Sequence, residues 1–293
     1  MTIRGTVPAL LTPFTEGGAE VDHELMDAHV AWLAERGVET VSPLGTTGEG
    51  PSLSLAERRA VIERLVRHSS GVQILPGTGC TALPETIELS RFAVEAGAAG
   101  ILVAPPWYYD ATPAGTTRYY TAFLDALPES ARVFLYHIPA VTGVPIKDGT
   151  IRALRDRFGE RLAGAKDSTG DLDHARHWMD EFPELAIFPG SDALASGARA
   201  AGAAGTITLL GNLLPEELNG IRAGEMVEER QRLLTAVREL AQQFPRHAAV
   251  KYLLHLVSGL PRSAVRPPLE ELTPEEEREL EARYDELRSE AHV

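Results

Sequence analysis

The sequence predicts a (β/α)₈ barrel followed by a small C-terminal helical domain, on three observations. A unit of short apolar run, turn and amphipathic helix recurs eight times between Gly5 and about Thr208. No Gly-x-Gly-x-x-Gly turn follows the first strand, which weakens the alternative of a doubly wound open sheet. After Gly224 only helical periodicity remains. The expected boundaries are 1–224 for the barrel and 225–293 for the helical domain.

Strands are expected at 7–11, 41–44, 72–75, 100–103, 133–136, 162–165, 186–188 and 205–209, each a short Val/Ile/Leu-rich or small-residue run bounded by turn residues. Helices fill the spaces at 23–35, 55–69, 85–96, 114–126, 149–157, 172–181, 193–201 and 216–223. Ser54 with Glu57 forms a capping box, and Thr112-Pro113 puts proline at the first helical position. Asp148 and Asp192 stand where N-caps are expected. In the C-terminal part, Met226, Val227, Leu233, Leu234, Val237, Leu240 and Phe244 mark a helical stripe over 225–244. Two further helices, 247–257 and 274–287, are separated by Pro261 and Pro267-Pro268. The acidic run of the last one reads as a solvated face.

Composition narrows the function. With 293 residues, 44% of them hydrophobic, the chain is long enough to bury a core without staples. A net charge of -14 argues against binding a nucleic-acid phosphate backbone. No apolar run approaches the ~20 residues of a membrane span. The lone Cys80 rules out an intrachain disulfide and suits a reducing compartment. No apolar signal region follows Met1, so a cytoplasmic location is expected.

The chemistry of a barrel gathers at the carboxyl ends of its strands. Of 28 Lys+Arg residues only Lys147, Lys166 and Lys251 are lysines, and Lys166 closes an apolar run. One reading is a lysine whose stem packs while its head reaches water. The other uses the property that arginine lacks: an amine that can lose its proton and attack a carbonyl. Tyr136 ends the neighbouring strand, so phenol and amine are expected side by side, a proton-relay set for carbonyl–amine condensation. The turn Gly45-Thr46-Thr47-Gly48-Glu49-Gly50 offers backbone N–H groups and two hydroxyls to a small anion, a carboxylate rather than a triphosphate because no Lys or Arg is present. The aromatic loop 105–110 reads as core or interface packing. His174 and His177 read as surface residues without a third ligand, and neither a metal nor another cofactor is expected.

Together Gly-Thr-Thr-Gly-Glu, Tyr136-x-x-Pro-x-x-Thr-Gly143, Gly164-x-Lys166-Asp-Ser168, Thr12-Pro13-Phe14 and Gly190-x-Asp192 resemble the dihydrodipicolinate synthase/N-acetylneuraminate lyase family almost end to end. The resemblance implies a class I, Schiff-base-forming aldolase or lyase. Lys166 would form an imine with pyruvate or another 2-oxo acid, and Tyr136 would act as general acid and base. Thr46 and Thr47 would hold the carboxylate. Tyr109, or its neighbour Tyr108, would complete a hydroxyl relay from another subunit of a homotetramer. Ser168, Gly190, Asp192 and Thr208 would contact the rest of the substrate.

Three departures bear on the substrate. The synthase branch has an arginine where this chain has Val141. The sialic acid lyase branch has a carboxylate at the position of Ala193 and a serine near Leu209. The 2-keto-3-deoxy sugar acid aldolase branch fits best, with pyruvate and a neutral hydroxy-aldehyde as partners. The alternatives are 4-hydroxy-tetrahydrodipicolinate synthase, should an arginine such as Arg118 replace the missing one, and a barrel that binds a 2-oxo acid without turnover.

Overall fold

In the computed structural model, which describes residues 3–69 and 71–291, eight parallel strands are joined in chain order into a closed barrel. They are β1 (Gly5–Pro8), β2 (Thr40–Val41), β3 (Gln73–Ile74), β4 (Ile101–Val103), β5 (Val133–His137), β6 (Leu162–Asp167), β7 (Ala186–Pro189) and β8 (Gly205–Thr208). Ladders join β1 to β8, β2 to β3, and β4 through β7. Hydrogen bonds outside the ladders close the other seams, among them Ser42 N to Pro8 O (2.8 Å), Leu102 N to Pro76 O (2.9 Å) and Ala204 N to Ile187 O (3.0 Å).

Around the strands run α1 (His23–Glu35), α2 (Leu55–His68), α3 (Leu83–Ala96), α4 (Pro113–Asp125), the single turn α5 (Pro139–Thr142), α6 (Asp148–Phe158), α7 (Leu172–Glu181), α8 (Ala195–Ala200) and α9 (Pro215–Ala223). Three more follow: α10 (Val227–Ala241), α11 (Arg246–Ser258) and α12 (Pro274–Ala291). The capping box of Ser54 and Glu57 is formed, and the Thr112 side chain accepts from Gly115 N. Four residues are too few to show a period, so α5 escapes a reading based on periodicity. Asp148 is not a cap: Lys147 holds that position, and the Asp148 carboxylate accepts instead from Trp178 Nε1 and pairs with His177. Ser191 likewise precedes the 3₁₀ turn that begins at Asp192.

Alternation along the strands sorts side chains into two cores. Val7, Leu75, Leu102, Phe134, Phe188 and Ile207 fill the barrel interior. Ile101, Val103, Val133, Leu135, Leu162 and Ile187 face the helices. Gly164 faces inward, where a Cβ would stand 2.7 Å from the Phe134 ring and 2.3 Å from Ala186 O. The C-terminal helices share a third core with α9 and the segment that precedes it, including Leu210, Leu218, Ile221, Leu234, Leu253 and Leu280. Buried polar ties reinforce that junction. Lys251 on α11 reaches Glu49 at 2.5 Å, and Arg266 donates to Gly18 O and Ser52 O.

Candidate active site

β5 and β6 pair in register with Tyr136 beside Lys166, and Lys166 in turn lies beside Phe188 of β7. Tyr136 belongs to the interior set, so its partner Lys166 faces the barrel axis as well. Lys166 is only 5% exposed, and its Nζ lies 4.4 Å from the centre of the Tyr136 ring. No carboxylate pairs with it among the described residues. The Tyr136 hydroxyl is 3.1 Å from Thr46 Oγ1. Burial raises the phenol's pKa, but the Lys166 charge and hydrogen bonds with Thr46, Lys166 and Ser168 outweigh it, leaving the phenol below the ordinary tyrosine range.

The remaining inward positions follow the same period. Ser168 continues the interior row of β6, and its N–H donates to His137 O. Gly190 continues that of β7. A Cβ at Gly190 would stand 2.2 Å from Ser168 Oγ and 3.2 Å from Lys166 Cε, so a larger residue would displace the two groups beside it. A cleft of about 250 Å³ opens above, lined by Thr46, Leu102, Trp107, Tyr136, Ile138 and Val141 among others.

The Gly45–Gly50 turn is held open from below. Thr12 Oγ1 donates to Gly48 O at 2.6 Å, and His247 Nε2 meets Thr46 O at 3.0 Å. The N–H groups of Thr46 and Thr47 donate to no backbone carbonyl among the described residues, and neither does the half-buried Thr47 hydroxyl have a partner there. That is a small cradle of unspent donors. Glu49 lies on the opposite side of the turn, fully buried, and binds Lys251 and the Arg266 N–H at 3.0 Å.

Two expected contacts fall outside this cluster. Asp192 is fully buried; its carboxylate accepts from Leu210 N (3.1 Å) and pairs with Arg238 of α10 (3.2 Å). Burial raises its pKa. It ties the barrel to the C-terminal helices rather than facing the cleft. Thr208 also points away, because Ile207 takes the inward position on β8. Tyr108 and Tyr109 are 84% and 76% exposed and form an edge-on pair 5.1 Å apart, away from Lys166 in the single chain. Tyr108 adopts φ +92°, a strained conformation for a side-chain-bearing residue.

His174 is not a simple surface residue. Its Nδ1 lies 2.8 Å from Asp167 Oδ2, and its ring stacks on His137 at 5.0 Å and 9°. His137, Asp167 and His174 are the one group of metal-ligand type among the described residues. Parallel stacked imidazoles aim their lone pairs side by side rather than at a common point, and His137 Nδ1 already accepts from Ile146 N. The cluster braces the outer face of β5 and β6, behind Tyr136 and Lys166.

The family model described as the dihydrodipicolinate synthetase family matches residues 2–287. The chain belongs to this family. A DapA-like lyase of Chloroflexus aurantiacus is 43% identical, with 97% of each chain covered. The 4-hydroxy-tetrahydrodipicolinate synthase of Methanopyrus kandleri is 32% identical over 92% of this chain and 91% of its own. Among solved structures, YagE, a prophage protein of the dihydrodipicolinic acid synthase family from E. coli K12 in complex with pyruvate, superposes with a TM-score of 0.91 at 28% identity, covering 98% and 99% of the two chains. A variant of the Sulfolobus solfataricus 2-keto-3-deoxygluconate aldolase gives 0.89 at 25% identity, covering 98% and 97%. Members of the family are aldolases and lyases, and the barrel with its helical C-terminal part is the fold they share.

Sequence reading missed His247, Arg58 and the Glu49–Lys251 pair. Arg58 lines the cleft from α2, but its guanidinium is spent on Gly77 O (2.9 Å), Gly79 O (3.1 Å) and Cys80 Sγ (3.0 Å). The rarity of lysine was a signal that applied to Lys251 as much as to Lys166. Arg118 is exposed on α4 and does not line the cleft.

Proposed function

We propose that this protein is a class I aldolase that joins or separates pyruvate and a neutral hydroxy-aldehyde, acting on a 2-keto-3-deoxy sugar acid. The observation that carries the reading is a buried lysine with no carboxylate partner, packed on a phenol whose pKa is lowered. Lys166 Nζ adds to the keto carbon of the 2-oxo acid, and water leaves as the imine forms. In the cleavage direction Tyr136, as phenolate, takes the proton of the C4 hydroxyl. The C3–C4 bond breaks and its electron pair enters the protonated imine, giving an enamine and the aldehyde. Thr46 holds the phenol, and the unspent donors of Thr46 and Thr47 suit the substrate carboxylate. Ser168 and the space kept by Gly190 adjoin the same centre.

The mouth beside Val141 offers no free guanidinium, because Arg58 is committed to two carbonyls and a thiol. This favours a neutral aldehyde over aspartate semialdehyde, since an unpaired carboxylate is costly to desolvate. The second reading, 4-hydroxy-tetrahydrodipicolinate synthase, is favoured by the relative of that name at 32% identity. The exposed Tyr108–Tyr109 pair is proposed as a subunit contact of a homotetramer, through which Tyr109 would reach a neighbour's relay.

Incubation with pyruvate and borohydride tests the centre. The expected result is one reduced three-carbon adduct, mapped to Lys166 by peptide mass, with loss of activity. An adduct on Lys147 or Lys251 would refute the assignment.

A further inference from the structure

At the amino ends of β1 and β8, on the face opposite the catalytic mouth, a second cavity of about 190 Å³ lies between the strands and helices α8 and α9. At ~30 Å³ per water it has room for about six waters. It exists because its walls are built from small residues, Ala195, Ala198, Ala203 and Ala204, where the helices meet the sheet. In a barrel this face ordinarily serves stability, so an open space there calls for an explanation.

Its polar lining has one sign. Arg199 and Arg222 stand on it from the last turns of α8 and α9, and no carboxylate lines it among the described residues. Neither arginine forms an ion pair among the described residues, although the chain carries a net charge of -14. Arg199 Nε donates to the backbone carbonyl of Arg222 at 3.2 Å, which ties the Arg199 side chain to the end of α9. Arg222 Nε lies 3.6 Å from the point where a Gly5 Cβ would be, so its guanidinium stands over the end of β1. The floor adds two hydroxyls. Thr6 and Thr206 are register partners on β1 and β8, and Val7 and Ile207 take the inward positions, so both threonines turn toward the helix layer. They are 6% and 7% exposed, and neither hydroxyl has a hydrogen-bond partner among the described residues. Both oxygens are open to solvent, so each is a free donor facing the same cavity.

We infer that this cavity binds a small oxyanion, the carboxylate or phosphate group of a metabolite, between the Arg199 and Arg222 guanidiniums and the Thr6 and Thr206 hydroxyls. A cation in a helix's last turn also complements the helix dipole. That role accounts for the arginines alone, and for neither the space nor the hydroxyls. The site is independent of the aldolase reading.

Calorimetric titration at low salt with inorganic phosphate and, separately, with succinate tests it. The expected result is saturable one-to-one binding of at least one probe in the millimolar range or tighter. Arg199→Gln and Arg222→Gln each weaken it about tenfold, the weight of a charge-assisted hydrogen bond. Thr206→Val weakens it severalfold, and Ala198→Leu, which fills the cavity, abolishes it. Which probe binds separates a phosphate from a carboxylate ligand. Anion binding at the catalytic mouth would be unmoved by these variants, and that outcome overturns the inference, as does the absence of saturable binding by either probe. If the arginines only cap their helices, their variants lower the melting temperature and leave anion binding intact, which overturns it equally. Should Ala198→Leu fail to fold, the two exposed arginine positions decide.

Discussion

Lys166 and Lys251 are both almost fully buried, at 5% and 3% exposure, and each lies against an aromatic ring, 4.4 Å from Tyr136 and 4.7 Å from Phe14. What separates them is the partner. Lys251 has Glu49 at 2.5 Å and Ala264 O at 2.6 Å, so its ammonium is matched and fastens α11 to the Gly45–Gly50 turn. Burial lowers its pKa while Glu49 opposes that shift. Lys166 has a ring and a hydroxyl but no carboxylate among the described residues. Burial alone therefore does not distinguish a reactive lysine from a structural one; the availability of its nitrogen does.

The comparison breaks most sharply on activity. Lys166→Ala is expected to remove all turnover while leaving the urea midpoint near that of the parent; Lys251→Ala is expected to do the reverse. Removing one member of a buried pair strands the other charge, a cost of about 3–5 kcal/mol, so Glu49→Ala should lower the unfolding free energy by that order. A stable, inactive Lys251→Ala would collapse the distinction. Tyr136→Phe should slow turnover by about 10²–10⁴ with pyruvate affinity largely kept. A near-normal kcat would remove the phenol from the reaction.

A pH series sharpens the contrast between the inner and outer faces of β5. Tyr136 faces the cleft, whereas His137 behind it is held neutral, its pKa lowered by burial to about 4 against the upward pull of Asp167. Buried His29 is lowered to about 4 for the same reason. Between about pH 6.5 and about pH 4 the unfolded chain binds protons at these sites that the folded chain does not. Stability is therefore full above about pH 6.5 and falls as the pH drops through that window. Denaturation midpoints that stay flat from pH 7 to about pH 5, or an NMR titration of His137 near its ordinary value, would contradict this.

The smallest expected effect concerns the mouth. With pyruvate present, kcat/KM for glyceraldehyde should exceed that for aspartate semialdehyde by more than about tenfold, and Val141→Arg should narrow the gap. Equal use of both aldehydes would return the synthase reading to first place.

Much was legible because it is local. The eight strands follow from short apolar runs bounded by turn residues, nearly all helices from a period of 3.6, and the caps at Ser54 and Thr112 from short spacings. The placement of Tyr136 beside Lys166 was legible too, since consecutive strands of a barrel are neighbours and both residues end an apolar run. Three matters were decided only by the tertiary structure. Barrel strands are apolar on both faces, so composition cannot say which alternate residues point inward, and Thr208, a substrate contact implied by the family resemblance, lies on the helix-facing side of β8. Glu49 meets Lys251 from 202 positions away, and Asp192 meets Arg238 from 46. No local period encodes such pairs, because they depend on how the C-terminal helices dock on the barrel. The cavity between α8, α9, β1 and β8 likewise arises from four alanines and two threonines that only the closed fold brings to one space.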